Sequence, residues 1–263
     1  MEMSLYAAAL LLAAAAGQSV PARSHSPDGR IWTVATGLEK FSIRDVARSG
    51  IPIETSPVAV DGNAWFLAVR HERRNLERLH AMEVSFIRST GAGLATPLQR
   101  LPAPDDGVVR LDARYEYRRS FGRNRLARGL EFSAGPVGLA AWQKLDRSLP
   151  PNNAVAVSDV EGGGGGMVAA RLTRWRRITF DGGWTIALMI GRTDHAIAQA
   201  AVNSDKQGGG GWRLEDHVSG SIRLSERVLL AAAYRRAGQV RFASHRGQSD
   251  RWNRFEVGVT YVH

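Results

Sequence analysis

The nine residues from Val109 to Tyr117 constrain the chain more than any other stretch. Apolar side chains (Val109, Leu111, Ala113, Tyr115, Tyr117) occupy every odd position, and charges (Arg110, Asp112, Arg114, Glu116) every even one. Successive side chains on a strand point to opposite faces, so this period of two sorts the segment into an apolar side and a charged side. A soluble sheet can alternate in the same way with its apolar face inward. The aromatic ending, the length and the Arg/Asp/Arg/Glu ladder suit a barrel wall better, with lipid on one side and a polar lumen on the other.

The pattern recurs along the chain. Trp65, Leu67 and Val69 alternate with Phe66, Ala68 and Arg70, and Met82, Val84 and Phe86 with Glu83, Ser85 and Ile87. Further strands are predicted around Leu130–Trp142, Val168–Thr173, Trp184–Ile190, Leu214–Leu224, Val228–Tyr234 and Arg254–Tyr261. Pro136 lacks a ladder donor and predicts a bulge or break, while Phe180–Gly183 reads as a hairpin turn. The connections alternate in length: short at 73–78, 122–127, 181–183 and 225–227, long at 89–107, 144–166 and 193–211, intermediate at 243–251. Tight turns on one side and long loops on the other are the rhythm of a membrane barrel. Nine strands are legible. Even parity requires a tenth, assigned to Trp32–Arg44 ahead of the Pro-containing segment 51–60, with eight strands as the alternative. The expected fold is all-β: a closed, antiparallel, up-and-down transmembrane β-barrel in a single domain, residues 23–263.

The first 22 residues read as an export signal. Leu5–Ala16 is an apolar run of signal length, too short to span a membrane as a helix, followed by small residues at Val20 and Ala22. It departs from the usual pattern in having Glu2, and no Lys or Arg, before the apolar run. The chain has no cysteine, which excludes disulfides and thiolate metal sites and suits an oxidising envelope compartment. Its formal charge of +10 would fit a nucleic-acid binder, but the arginines are spread over strand-like segments with acidic partners nearby, and no nucleic-acid-binding motif accompanies them.

The final strand carries a resemblance. Glu256, Gly258, Tyr261 and His263 resemble the C-terminal assembly signal of bacterial outer-membrane β-barrel proteins, with His263 in place of the usual Phe or Trp. The resemblance implies an outer-membrane location, insertion by the barrel-assembly machinery, and contact with outer-membrane lipid including lipopolysaccharide.

The inward set is predicted to hold Arg110, Asp112, Arg114, Glu116, Arg118, Glu131, Arg171, Glu215, His217, Arg223, Arg235, Arg254 and Glu256. In so narrow a barrel, opposite charges should pair and fill the lumen. That predicts a monomeric structural barrel, or a porin-like small pore whose arginines favour anions, with no cofactor or metal. A lipid-modifying hydrolase is a second reading: His71, His80, His195 and His217 are candidate bases, and Ser85, Ser133 and Ser219 candidate nucleophiles. A soluble periplasmic barrel binding an apolar ligand is a third. Gly162–Gly166 and Gly208–Gly211 lack the Lys-Ser/Thr of a phosphate loop and read as loop segments. Trp65, Trp142, Trp175, Trp184, Trp212 and Trp252, with Tyr115, Tyr117, Tyr234 and Tyr261, are expected to form an aromatic girdle. Arg246 and Arg251 are candidates for lipopolysaccharide phosphates.

Overall fold

Alternation gives each strand two faces, and the computed structural model sorts them inside out relative to a soluble protein. Leu111, Tyr115 and Ile186 are 44%, 48% and 50% exposed, whereas Arg110 and Arg114 are 4% and 7% exposed. An apolar outer surface around buried charges is a membrane-barrel arrangement, and it removes the soluble-barrel reading.

The structure describes residues 29–47, 59–75, 77–95, 100–102, 107–123, 130–149, 153–174, 177–197, 205–243 and 246–263. The strands are β1 (Gly29–Ala47), β2 (Ala59–Arg74), β3 (Arg78–Ala95), β4 (Arg100–Pro102), β5 (Gly107–Arg123), β6 (Leu130–Leu149), β7 (Asn153–Arg174), β8 (Ile178–Ile197), β9 (Asp205–Arg223), β10 (Val228–Ala243) and β11 (Arg246–Val262). Each pairs antiparallel with its neighbour, and β1 closes the ring by pairing with both β2 and β11. The three-residue β4 only edges the far end of β3, so ten strands form the wall. The signal segment, and 51–58 of the Pro-containing segment, lie outside the described residues.

The predicted long loops are corrected. The ten wall strands run 16 to 22 residues, where about 9–11 suffice to cross a bilayer. Much of the predicted loops at 89–107, 144–166 and 193–211 is strand, and β6 and β7 stay paired out to Leu149↔Asn153. Beyond the lipid an outward position no longer needs an apolar side chain, so the ladder continues after the periodicity has faded.

Both glycine runs belong to the wall. Gly162–Gly166 lies in β7 and Gly208–Gly211 in β9. Inward Gly163 and Gly165 sit where a Cβ would lie 2.1 Å and 1.9 Å from the carbonyl oxygens of Leu188 and Ile186 on β8. Glycine there lets the wall bend tightly enough to close. Phe180–Gly183 is not a turn either: it lies inside β8, and Asp181 points into the lumen. Pro136 sits within β6, where the β5 ladder skips Tyr117 and Arg118 and then resumes in unchanged register, while the register shift falls at Phe121/Arg123. The interior is also more apolar than expected. Phe41, Ile43, Phe66, Ile87 and Val108 cluster with Trp252 toward the loop end of the lumen. Trp252 is therefore inside, contrary to the girdle assignment; Trp65, Trp142, Trp184 and Trp212 are exposed on the outer face; Trp175 lies outside the described residues.

One outward patch departs from the apolar belt. Asp216 on β9 and Arg236 on β10 are register partners and form an ion pair at 2.9 Å on the outer face. A lipid-facing Arg costs about 2–4 kcal/mol at the bilayer midplane. The same rule gives a test of the outer surface. Ile186→Arg should destabilise the barrel by about 2–4 kcal/mol in chemical unfolding from lipid vesicles, where an exposed position of a soluble sheet would lose about 0.5 kcal/mol or less.

Candidate functional site

Every second residue of a wall strand faces the lumen, so long arginine and glutamate side chains from all sides meet near the barrel axis. Of the thirteen predicted lumen residues, Arg110, Arg114, Glu116 and Arg118 on β5, Glu215 on β9 and Arg254 on β11 are buried. Asp112 on β5, Glu131 on β6, Arg171 on β7, His217 and Arg223 on β9, Arg235 on β10 and Glu256 on β11 are half-buried, at the same strand parity as buried residues of their own strands. Among the described residues all of these but Arg223 lie in ion pairs, His217 when it is protonated, and the buried Nε of Arg223 has no hydrogen-bond partner there.

Near the tight turns, Asp181 gathers Arg171 (2.9 Å), His217 (3.1 Å) and Arg118 (3.4 Å), while Glu131 accepts from Arg74 at 2.6 Å and from Ser120. At mid-height Glu116 takes Arg70, Arg114 and Arg118, and Arg114 reaches across to Glu215 and Thr185. Glu83 accepts Arg235 through both oxygens, at 2.8 and 3.0 Å, and Arg70 at 3.2 Å. Above them Glu39 binds Arg110 and Arg254, each at 3.0 Å. The ring of Trp252 lies beneath the guanidiniums of Arg110 and Arg213, 4.8 and 5.3 Å from its centroid, and Phe66 lies beneath Arg254 at 4.5 Å. These contacts let the arginines stack on aromatic faces as well as donate in their planes. Toward the loop end Arg241 bridges Asp159 and Asp250, and Gln239 donates to Glu161.

To the six predicted arginines of these inward pairs the structure adds Arg70, Arg74, Arg213 and Arg241; to the five predicted carboxylates it adds Glu39, Glu72, Glu83, Asp159, Glu161, Asp181 and Asp250. Ten arginines and His217 thus face twelve carboxylates among the described residues, a net of two negative charges with His217 neutral, so these pairs do not supply the chain's formal charge of +10. Glu83 and Arg70 stood at inward parity in the sequence and could have been included from that signal. Asp181 was masked by its resemblance to a hairpin turn, and Asp159, Glu161 and Arg241 by the fading of the outer pattern. A cavity of about 30 Å³, bordered by Glu39, Arg110, Arg213 and Trp252, lies within the network. It has room for one or two waters.

The candidate catalytic groups separate. His71 and His80 face outward, His71 stacked on Trp32 at 4.4 Å and His80 hydrogen-bonded to the Tyr115 hydroxyl at 3.0 Å. The His195 side chain lies outside the described residues. Ser85 accepts from Arg254, and Ser133 faces the lumen on β6. His217 meets Asp181, but Ser219 donates to the Asp181 carbonyl at 3.5 Å rather than to His217. A nucleophile must be bonded to its base, and no serine hydroxyl among the described residues is bonded to His217. At the closing strand, Glu256 and Gly258 face inward and Tyr261 outward, and the His263 amide donates to the Arg30 carbonyl at 2.9 Å.

No protein-family model matches the chain, and no curated protein matches it either. Among solved structures it is similar to the outer membrane protease OmpT from Escherichia coli, at 9% identity and a TM-score of 0.59, with 92% of this chain and 99% of that chain covered. Similarity is also found to the toluene transporter TbuX of Ralstonia pickettii (8% identity, TM-score 0.42, 90% of each chain) and to the translocator domain of the autotransporter NalP from Neisseria meningitidis (10% identity, TM-score 0.39, 98% of this chain and 94% of that one). At such identities the likeness concerns the fold alone. The closed ten-stranded wall, its apolar exterior and its charged interior give this chain the fold of bacterial outer-membrane β-barrel proteins.

Proposed function

We propose that the chain is a structural barrel of the bacterial outer membrane with a lumen closed at rest. In this reading residues 1–22 direct export and are cleaved. The barrel-assembly machinery inserts the chain through its last strand, with Glu256, Gly258, Tyr261 and His263 as the signal. The tight turns face the periplasm, and Arg246 and Arg251 at the opposite end meet lipopolysaccharide phosphates. One observation carries the closed-lumen reading: ion pairs span the lumen. Arg235 on β10 reaches Glu83 on β3, and Arg114 on β5 reaches Glu215 on β9, each joining strands four places apart in a ring of ten.

A path for small anions has weaker support, because among the described residues the inward guanidiniums, eleven with Arg223, do not exceed the twelve inward carboxylates, and a selective anion path needs a cationic surplus. A hydrolase at His217 would need a hydroxyl brought into its reach. The purified mature protein, reconstituted in planar bilayers, is expected to show no stepwise conductance above the protein-free baseline. Steady anion-selective steps, reversed in selectivity by Arg110→Glu or Arg114→Glu, would replace the closed barrel with the pore.

A further inference from the structure

The Asp216–Arg236 pair stands in the middle of the apolar belt rather than at its edge. Asp216 has Leu214 and Trp212 on one side along β9 and Val218 and Ile222 on the other; Arg236 has Tyr234 and Leu230 below and Val240 and Phe242 above along β10, all of them exposed. Across to β8, Asp216 is in register with Trp184, halfway along that strand's outward run from Ile178 to Ile190. The Arg236 side chain is 50% exposed and that of Asp216 23%, so the pair is open to whatever adjoins the wall. Alongside, the Tyr234 hydroxyl donates to Asn253 on β11 at 3.1 Å. Hydrocarbon solvates none of these groups.

We propose that this face of β9 and β10 is an interface at which two copies of the chain associate within the membrane. Two barrels inserted in the same direction form a closed symmetric dimer only about a two-fold axis along the membrane normal. Such an axis preserves depth and exchanges left with right. A charged patch is then self-complementary when its opposite charges lie side by side at nearly one depth, and the charged atoms of Asp216 and Arg236, 2.9 Å apart on neighbouring strands, differ in depth by no more than that separation. With the axis between the two strands, Asp216 of each copy faces Arg236 of the other, and the two pairs become a four-charge cluster shielded from lipid. Outward Gly238, with nothing within 4 Å of its missing side chain, and Ala232 on the same strand leave room for the walls to approach. This replaces the monomer expected from sequence. It stands or falls independently of whether the lumen is closed.

The test is charge reversal on the purified full barrel in detergent micelles and in lipid nanodiscs, read by sedimentation and native mass spectrometry. The wild type is expected to be dimeric. Asp216→Arg and Arg236→Asp, each alone, should raise the dimer dissociation constant at least tenfold. An equimolar mixture of the two variants, or the D216R/R236D exchange in one chain, should restore it. Where a reversal fails to reach the heat-modifiable folded form, cysteine cross-linking takes its place, since the natural chain has no cysteine. Gly238→Cys should then cross-link to a dimer with a short bismaleimide, and Leu111→Cys on the far wall should not. A monomeric wild type, retained lipid on a monomer, unchanged dimerisation in both single reversals, or equal cross-linking at 238 and 111 would each overturn the proposal.

Discussion

Gly165→Val is expected to abolish barrel formation, while Gly166→Val, one residue on, folds as the natural chain does. At Gly165 a Cβ would lie 1.9 Å from the Ile186 carbonyl oxygen and 2.6 Å from the Ala187 Cα; at Gly166 it would meet nothing within 4 Å. The obstructing atoms at 165 are backbone of the strand to which β7 is laddered, so relief requires breaking that ladder. Overfilling a packed interior typically costs about 1–3 kcal/mol, and a clash with backbone lies at or beyond the upper end. Gly166 faces outward, where a branched apolar side chain suits both strand and lipid. Folding yield into lipid vesicles, followed by heat-modifiable gel migration and circular dichroism, separates the two. Equal yields would mean that β7 does not approach β8 as described.

Glu83→Ala should produce the second large loss, about 3–5 kcal/mol in chemical unfolding from vesicles, the scale for removing one member of a buried ion pair. Glu83 takes two hydrogen bonds from Arg235 and one from Arg70, and Arg254 approaches within 3.9 Å. Its removal leaves guanidiniums facing one another with less compensation. Glu83→Gln should recover little, since its amide turns a donor toward a donor. The double change Glu83→Leu with Arg235→Met removes both charges together and should recover most of the loss. A single-residue loss below about 1 kcal/mol, the range of a solvated surface pair, would mean that water fills the lumen and screens these contacts.

Legibility in the sequence followed the lipid. Between Trp65 and Val69, or Val109 and Tyr117, bilayer on one side and lumen on the other enforce opposite chemistries on neighbouring residues, and strand, face and register parity could all be read. The buried charges of β5, Arg110, Arg114, Glu116 and Arg118, were legible for the same reason. At Leu145–Leu149, Asn153–Val157 and Gly208–Gly211 that pressure is gone, and segments that are strands read as loops. The glycines of β7 misled in a second way. In sequence a glycine run signals freedom, yet here alternate glycines of the run answer a steric demand from the adjoining strand. Asp181-Gly182-Gly183 misled likewise, turn chemistry by composition but wall by pairing.

The amino-acid order alone determined the two-faced strands, their even number and the closed antiparallel wall, because these follow from local alternation and from the need to leave no backbone edge in lipid. Only the tertiary structure decided which charge meets which, that Trp252 turns inward beneath two arginines, and that Asp216 and Arg236 meet as an ion pair on the outer face. Those outcomes depend on the stagger between strands distant in sequence, and stagger is set by closure of the whole ring rather than by any one segment.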